Sequence, residues 1–200
     1  MSKSSKNTRN KIIQTSWNLF YSQGYENTTV DDIIEAAHIS KGTFYHYFTG
    51  RDDLVGGIAY LLDEEYENIL SSMDKNLKAI SKLALLTKNS FFMLENTVPV
   101  NLLSKILSSH MSGNCGYKSL LNPDRTYYRV IRKLVIDAKK EGSINEHFSV
   151  NEVCIAYSLF ERGLMYDWCI SNGSYAFSEY AYKIMRIFLS GFANNPAQND

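Results

Sequence analysis

The sequence predicts an all-α protein of about nine helices. Apolar residues recur at helical spacing along most of the 200-residue chain, without a sustained period-two alternation bounded by turn residues. Only three prolines and 11 glycines interrupt this pattern. A chain of this length can form one or two compact units with a sizeable core. We expect an N-terminal three-helix domain, 1–50, and a longer helical domain, 51–200.

Three short helices are predicted in the N-terminal domain. The first covers 8–23. Its apolar side chains are spaced by three or four residues: Ile13, Trp17 and Phe20. Thr29 is placed to cap the second helix, 30–38. Ser40 is placed to cap the third, 41–48, and the short break between these two helices is typical of a helix-turn-helix unit.

The third helix mixes aromatic and polar residues. At about 100° per residue, Phe44 and Phe48 lie on one face of this helix. His46 lies opposite them, with Thr43 close to it. Tyr45 flanks the apolar face, so its hydroxyl can reach outward. We predict that the two phenylalanines anchor the helix and that its polar face is exposed.

Six longer helices are predicted in the second domain. They cover about 51–73, 77–96, 101–110, 123–140, 150–170 and 175–192. Asn122 and Pro123 are suited to begin the fourth of these helices, as N-cap and first helical residue. Ser149 and Glu152 form a capping box before the fifth.

Composition restricts the classes of protein that this chain can belong to. The 21 basic and 21 acidic residues balance, so a nucleic-acid binder would work by arrangement of charge and not by its excess. The basic first ten residues lack a following apolar segment, and no run of 18 apolar residues occurs. We therefore expect a cytoplasmic chain without a membrane span. The three cysteines are interpreted as free thiols, with a redox-sensing role for Cys115 as the alternative.

The second domain carries no catalytic, metal-binding or cofactor motif in its sequence. Residues 72–75 read S-M-D-K, an S-x-x-K spacing, but the companion motifs of that enzyme class are missing. His110, Cys115 and His147 do not have the spacing of metal ligands. The chain also lacks a Gly-rich phosphate loop and a G-x-S-x-G motif. We expect no enzyme activity, no metal and no cofactor.

The polar face of the third helix suits contact with DNA. Lys41 at the helix start can pair with a phosphate, where free backbone N–H groups add partial positive charge. Gly42 has no side chain, so the helix end can approach a DNA backbone closely. Thr43 and His46 can hydrogen-bond base edges, and the Tyr45 hydroxyl can donate to a phosphate. Double-stranded DNA is therefore the predicted partner.

Three segments carry a family resemblance: TTVDDI at 28–33, ISKGTFYHYF at 39–48 and RDDL at 51–54. Together they resemble the N-terminal signature of the TetR family of bacterial regulators. The resemblance implies a homodimer with an N-terminal DNA-binding domain. Its C-terminal domain would bind a small molecule and dimerise through the last two helices. By position, the resemblance implies DNA contacts at Thr29, Ser40, Lys41, Gly42, Thr43, Tyr45, His46 and Arg51.

Two positions depart from the family pattern. His38 stands where relatives usually have glycine, so it must adopt a turn conformation, which histidine tolerates better than most residues. Arg51 replaces the usual lysine. It preserves the positive charge expected to contact a phosphate, with a different geometry.

Two further surfaces are predicted in the second domain. The last two helices have apolar faces wider than one core contact requires, which indicates a four-helix dimer interface; burial against their own domain is the alternative. The interface candidates are Leu159, Gly163, Ile184 and Phe188. Aromatic residues at helical spacing are more often core than pocket residues. The candidates for a ligand pocket are Phe91, Phe92, Tyr127, Tyr128, Phe160 and Glu161. The abundance of Phe and Tyr favours an apolar or aromatic effector.

We interpret the chain as a ligand-responsive transcriptional repressor. It is expected to bind a pseudo-palindromic operator as a homodimer and to be released by a small molecule. The long helix from residue 51 is the expected lever between the two domains. The alternatives are an activator, a regulator without a small-molecule ligand, and a helical protein-interaction module.

Overall fold

The computed structural model describes residues 3–55, 58–111, 121–122 and 124–193. These residues contain no strand, and none of their helices is long and apolar enough to cross a lipid bilayer. The helices are α1 (Lys3–Gln23), α2 (Val30–Ala36), α3 (Lys41–Tyr47), α4 (Arg51–Val55), α5 (Ile58–Ser72), α6 (Ala79–Thr97), α7 (Val100–Met111), α8 (Thr126–Lys140), α9 (Val150–Ile170) and α10 (Phe177–Ser190). The all-α prediction is confirmed.

The helix count differs from the expected nine in one place. The single helix predicted over 51–73 is represented by α4 and α5, and residues 56–57 between them lie outside the described residues. Cys115, the candidate redox sensor, also lies outside them. Apart from the starts of α1 and α8, the other helices agree with the prediction to within two residues at each end, which is the usual uncertainty of a helix boundary, about one or two residues.

The described residues group into two compact units. One contains the described parts of 1–61 and 97–122, and the other contains those of 62–96 and 123–200. Helix α7 therefore belongs to the same unit as α1 to α4. These packing units differ from the functional domains expected above, and the functional boundary at residue 50 stays a prediction.

The first unit is built around aromatic side chains. Phe20 and Phe44 are fully buried, and Phe48 and Trp17 are nearly so. Trp17 Nε1 donates a hydrogen bond to the carbonyl oxygen of Leu54 at 3.2 Å, which fixes α1 to α4. Burial of a large apolar ring contributes about 1.5–3 kcal/mol. The prediction that Phe44 and Phe48 anchor the third helix is confirmed.

The first turns of α1 brace the buried side of α3. The Tyr47 hydroxyl donates to Ser5 Oγ at 3.1 Å. The guanidinium carbon of Arg9 lies 5.3 Å from the centroid of the Phe48 ring, in range of a cation–π interaction. Because α1 begins at Lys3, five residues before the predicted start, it is long enough to make these contacts.

Aromatic stacking and a distant cap hold the second unit together. The Phe177 ring is stacked between Phe91 and Trp168, with centroid separations of 4.2 and 4.7 Å. Glu95 of α6 accepts hydrogen bonds from the Ser178 N–H at 3.1 Å and from the Ser178 hydroxyl at 2.6 Å. Glu95 thus satisfies a free amide in the first turn of α10.

The capping box predicted before α9 is confirmed. Ser149 Oγ accepts a hydrogen bond from the Glu152 N–H at 3.2 Å, and Glu152 Oε2 accepts one from the Ser149 N–H at 2.8 Å. Hydrogen bonds from the Ser149 side chain and backbone hold the pKa of the Glu152 carboxyl below its usual range.

The predicted start of α8 is wrong by three residues. The helix begins at Thr126, Arg125 occupies the N-cap without a side-chain cap bond, and Pro123 lies outside the described residues. Asp63 of α5 instead accepts a hydrogen bond from the Tyr127 N–H at 3.3 Å. A residue 64 positions away therefore satisfies the first turn of α8, which no local pattern reveals.

Candidate nucleic-acid interface and buried polar cluster

The turn between α2 and α3 depends on a left-handed residue. His38 has φ 52°, as its departure from the family's glycine required. The His38 N–H donates to the Glu35 carbonyl at 3.0 Å, and the Ile39 N–H donates to the Ile34 carbonyl at 3.2 Å. This pattern closes the C-terminus of α2, and residues 37–40 connect it to α3. The turn thereby sets the angle at which α3 leaves α2.

Both predicted caps of the helix-turn-helix are present. Thr29 Oγ1 accepts from the Asp32 N–H at 3.1 Å, and Asp32 Oδ2 accepts from the Thr29 N–H at 2.7 Å. These bonds from the Thr29 backbone and hydroxyl lower the pKa of Asp32. Ser40 Oγ accepts from the Thr43 N–H at 3.0 Å. The caps are confirmed, whereas DNA contacts by Thr29 and Ser40 stay predictions.

The opposite face of α3 is polar and accessible. Lys41, Gly42 and His46 are exposed, Tyr45 is 48% exposed, and Thr43 is half-buried. Thr43 Oγ1 lies 2.8 Å from the hydroxyl oxygen of its cap, within hydrogen-bonding distance. The Tyr45 ring packs edge-on against a buried phenylalanine, with centroids 5.3 Å apart. The structure therefore gathers these five predicted DNA-contacting residues on or beside one surface.

Two details of this surface concern how closely another molecule could approach it. A Cβ added at Gly42 would meet only Ser40 Oγ, at 3.8 Å, which is an ordinary van der Waals distance. Glycine is therefore not required here by the packing of α3 itself. Lys41 Nζ lies 3.7 Å from Asp31 Oδ1, but both side chains are largely exposed, and such pairs are weak.

Arg51 is held by the α1–α2 loop. Its guanidinium donates to the carbonyl oxygens of Tyr25 and Thr28 at 2.7 and 2.8 Å and lies 4.1 Å from the Tyr25 ring centroid. The Tyr25 hydroxyl donates to the Asp52 carboxylate. Burial, followed by this hydrogen bond, raises the pKa of Tyr25 to about 12, so the hydroxyl is protonated at neutral pH. A phosphate contact by Arg51 stays a prediction.

The six predicted pocket residues do not form one group. Phe91 stacks on Phe177 in the core, whereas Phe92 is 58% exposed. Phe160 stacks on Phe188, with ring centroids 4.2 Å apart and planes 8° apart. Tyr127, Tyr128 and Glu161 do lie together: the two tyrosine rings meet edge-on at 4.9 Å, and the Tyr127 hydroxyl donates to Glu161 Oε2 at 2.6 Å.

Glu161 is the centre of a buried polar cluster in the second unit. The residue is 3% exposed, and its Oε1 also accepts a hydrogen bond from Thr87 Oγ1 at 2.8 Å. The Tyr157 hydroxyl lies 2.7 Å from Thr87 Oγ1 and 3.0 Å from the Leu83 carbonyl oxygen, to which it can donate. Burial raises the pKa of the Glu161 carboxyl, and burial followed by the nearby carboxylate raises the pKa of Tyr127 and Tyr157.

An ion pair lies in the same unit. Arg125 Nε lies 3.2 Å from both Asp63 oxygens, and its Nη2 lies 2.9 Å from Asp63 Oδ1. The Arg125 side chain is 8% exposed, and its guanidinium lies 5.4 Å from the Tyr127 ring. Thr87, Tyr157 and this ion pair were not predicted. The sequence feature that could have indicated this cluster is Thr87, a threonine among the buried apolar positions of α6.

The predicted dimer residues lie together in an open groove of about 460 Å³ between α9 and α10. The groove is lined by Ala156, Leu159, Phe160, Gly163, Leu164, Asp167, Tyr180, Ile184 and Phe188. A Cβ added at Gly163 would meet nothing within 4 Å. Two of the lining residues, Leu159 and Tyr180, are among the exposed apolar residues of α9 and α10; the others are Ile155, Tyr166, Ile170 and Ile187. An apolar surface of this kind is typical of protein–protein contact.

The first unit contains a helix-turn-helix arrangement, in which a short turn joins α2 to α3 and α1 packs behind α3. Residues 12–58 match the family described as "Bacterial regulatory proteins, tetR family". Over this segment the chain is similar to that family, and the predicted resemblance is confirmed.

Relatives extend the likeness beyond the N-terminal segment. The HTH-type transcriptional repressor KstR2 of Rhodococcus jostii (strain RHA1) is 25% identical over 190 residues, which cover 93% of this chain and 91% of that protein. In three other curated relatives, with identities of 29–32%, the chain spans 54%, 38% and 31% of their length. These relatives are named as transcriptional regulators, which agrees with the expectation that the chain is not an enzyme.

Solved structures share the fold. A TetR-family transcriptional regulator from Pectobacterium atrosepticum has a TM-score of 0.70 at 13% identity, over 98% of this chain and 99% of that one. RolR in complex with resorcinol has a TM-score of 0.64 at 17% identity, over 98% and 92%. At these identities, the likeness shows the fold alone.

Replacing Glu161 by glutamine should change how stability depends on pH. Burial raises the folded-state pKa of Glu161, so the stability associated with this group is greatest below the pKa of the unfolded chain, about 4.3, and is lost as pH rises toward the folded value. Glu161→Gln cannot ionise. We expect its melting temperature to fall less than that of the wild type between about pH 5 and pH 8.

Circular dichroism melts across this range measure the difference. Glu146→Gln, at an exposed position, is the control and should follow the wild type. If the melting temperatures of Glu161→Gln and the wild type change with pH in parallel, the buried carboxyl does not titrate as described.

Proposed function

We propose that the chain is a DNA-binding transcriptional repressor that recognises a pseudo-palindromic operator as a homodimer. The observation that carries this proposal is the exposed polar face of α3, whose opposite face is fixed by the buried rings of Phe44 and Phe48. A helix presented in this way fits the DNA major groove. The repressor role is supported by the name of KstR2, which matches nearly the full chain.

Each predicted contact has a distinct part in this proposal. Lys41 supplies charge to a phosphate, and Gly42 allows the DNA backbone to come close to the start of α3. Thr43 and His46 contact base edges, while the Tyr45 hydroxyl donates to a phosphate. Two further residues, Thr29 and Ser40, stand at helix starts, where backbone N–H groups favour a phosphate. Arg51 would join them only by giving up its bonds to the loop carbonyls.

Lys41→Ala and His46→Ala should weaken DNA binding in different ways. Loss of a phosphate contact lowers affinity for all sequences and makes the slope of log K against log salt shallower by about 0.9 per contact. Loss of a base contact leaves that slope unchanged and reduces the preference for the selected duplex over a scrambled one by about five- to 150-fold. Fluorescence anisotropy at several salt concentrations measures both.

The duplex for these titrations is selected by the wild type from a randomised library. Lys133→Ala, an exposed cation on α8, is the control for the loss of one positive charge and should bind as the wild type does. The assignment of α3 is wrong if both α3 variants retain wild-type affinity and preference.

We further propose that the groove between α9 and α10 forms the homodimer interface. Four exposed or half-exposed positions, Leu159, Gly163, Ile184 and Phe188, meet there, and the open space at Gly163 would admit a helix of the partner. Two chains would then pair as a four-helix arrangement about a two-fold axis. This pairing would also place two copies of α3 for the two halves of an operator.

Gly163→Leu should separate the subunits without unfolding them. A Cβ at this position meets nothing within 4 Å in a single chain, and leucine favours a helix by roughly 0.8–1 kcal/mol over glycine, so the fold should be retained. A partner helix would clash with it, and we expect the dimer dissociation constant to rise about 30-fold or more. Sedimentation equilibrium measures this constant.

Lys140→Leu, which adds leucine outside the groove, is the control. A Gly163→Leu dimer as tight as that of the wild type would contradict this interface.

The proposed effector site is the buried polar cluster around Glu161. A buried polar network costs stability unless all of its groups are hydrogen-bonded. Groups with shifted pKa values, such as those in this cluster, are frequent at functional sites. Tyr66, Tyr127 and Tyr157 supply aromatic surface there, and RolR is a structural neighbour solved with a small aromatic ligand. A screen of small aromatic compounds, resorcinol among them, for release of the wild type from DNA tests this part. Release that persists unchanged in Glu161→Gln would place the site elsewhere.

A further inference from the structure

Two cations lie close to the Tyr25 ring in the α1–α2 loop. The guanidinium carbon of Arg51 lies 4.1 Å from the ring centroid, and Lys105 Nζ lies 4.2 Å from it. Tyr25 itself is 5% exposed. Cations at this distance from a ring are attracted to its face, and the attraction increases when the group is partly shielded from water. The ring thus connects the start of α4 with α7.

Glu26 provides a second connection among the same residues. Its Oε1 lies 3.2 Å from Lys105 Nζ, and its Oε2 lies 3.5 Å from an Arg51 nitrogen. One carboxylate therefore bridges both cations and offsets part of their mutual repulsion beside the Tyr25 ring. Because Glu26 is 73% exposed, this pairing is screened by solvent and salt and contributes modestly by itself.

The loop held in this way leads directly into α2. Arg51 donates to the carbonyl oxygens of Tyr25 and Thr28, and Thr29, the next residue, is the N-cap of α2. Any shift of the loop would therefore displace the start of α2 and, through the turn at 37–40, the orientation of α3. Lys105 is the member of the cluster that α7 contributes, from 79 positions away in the sequence.

We propose that Lys105 is a positioning residue for DNA recognition: it clamps Tyr25 and Glu26 from α7 and thereby holds the α1–α2 loop in the arrangement that presents α3. This inference rests on the proposed DNA-binding function. It gives α7 a role that the sequence did not indicate. Through Lys105, a displacement of α7 would reach the α1–α2 loop by a route separate from α4.

A direct phosphate contact is the competing role for a lysine in this unit. Lys105 Nζ is already paired with a carboxylate and seated over a ring, so its charge is largely compensated. The two roles differ in the salt dependence of binding. A phosphate contact contributes about 0.9 to the slope of log K against log salt, whereas a positioning residue changes affinity with the slope unchanged.

Lys105→Met tests the inference, because methionine keeps an unbranched apolar stem and removes the charge. On a duplex selected by the wild type, we expect about three- to tenfold weaker binding and an unchanged salt slope. Lys105→Arg should restore binding, since arginine also pairs with a carboxylate and stacks on an aromatic ring. In a Glu26→Gln background, the effect of Lys105→Met should shrink, because the two residues act together.

Lys88→Met is a closely matched control. Lys88 pairs with Glu179 at 2.7 Å and lies 5.4 Å from the Tyr182 ring, so it combines the same three residue types in the other unit. It should bind DNA as the wild type does. Melting curves establish that each variant is folded; Lys105 is 44% exposed, so no core packing is removed.

Three results would overturn the inference. The first is wild-type affinity in Lys105→Met, the second is a slope shallower by 0.9 or more, and the third is an equal loss in Lys88→Met. Failure of the wild type to select any duplex would instead contradict the proposed function itself. The two failures are therefore distinguishable in one set of titrations.

Discussion

The orientation of α3 depends on the burial of two rings one helical turn apart. Phe44 and Phe48 are 0% and 3% exposed, and rotating the helix by one residue position, about 100°, would bring them toward water. Exposing them would cost about 1.5–3 kcal/mol each. Since α3 has seven residues and is too short to be stable alone, this burial fixes both its existence and its rotation. The polar face of α3 is consequently exposed.

The surrounding elements act on the same helix. The left-handed His38 sets the entry to α3, and the Ser40 cap satisfies its first turn. Behind it, Ser5 of α1 holds the Tyr47 hydroxyl. The α1–α2 loop is in turn held by Arg51, which donates to its carbonyl oxygens. The polar face of α3 is thus a small part of a unit whose other contacts fix the position of that helix.

Local features were predictable from the sequence, and contacts over long sequence separations were not. The caps at Thr29, Ser40 and Ser149 and the buried phenylalanines follow from residues three or four positions apart, a distance over which helical geometry is fixed. The start of α8 depends on Asp63, and the engagement of Arg51 depends on Tyr25; both partners lie in other elements. Among the pocket candidates, Tyr127, Tyr128 and Glu161 lie together. The three phenylalanine candidates lie elsewhere, because aromatic spacing does not distinguish core positions from ligand contacts. The groove candidates did assemble, since each lay on the outward face of its own helix.

The proposed function requires that two copies of α3 contact the two halves of one operator. Hydroxyl-radical footprinting of the wild type on its selected duplex tests this requirement. We expect two symmetric protected segments centred about one helical turn apart, or a multiple of it, on one face of the DNA. A single uninterrupted protected segment without symmetry, or equal protection of a scrambled duplex, would contradict it.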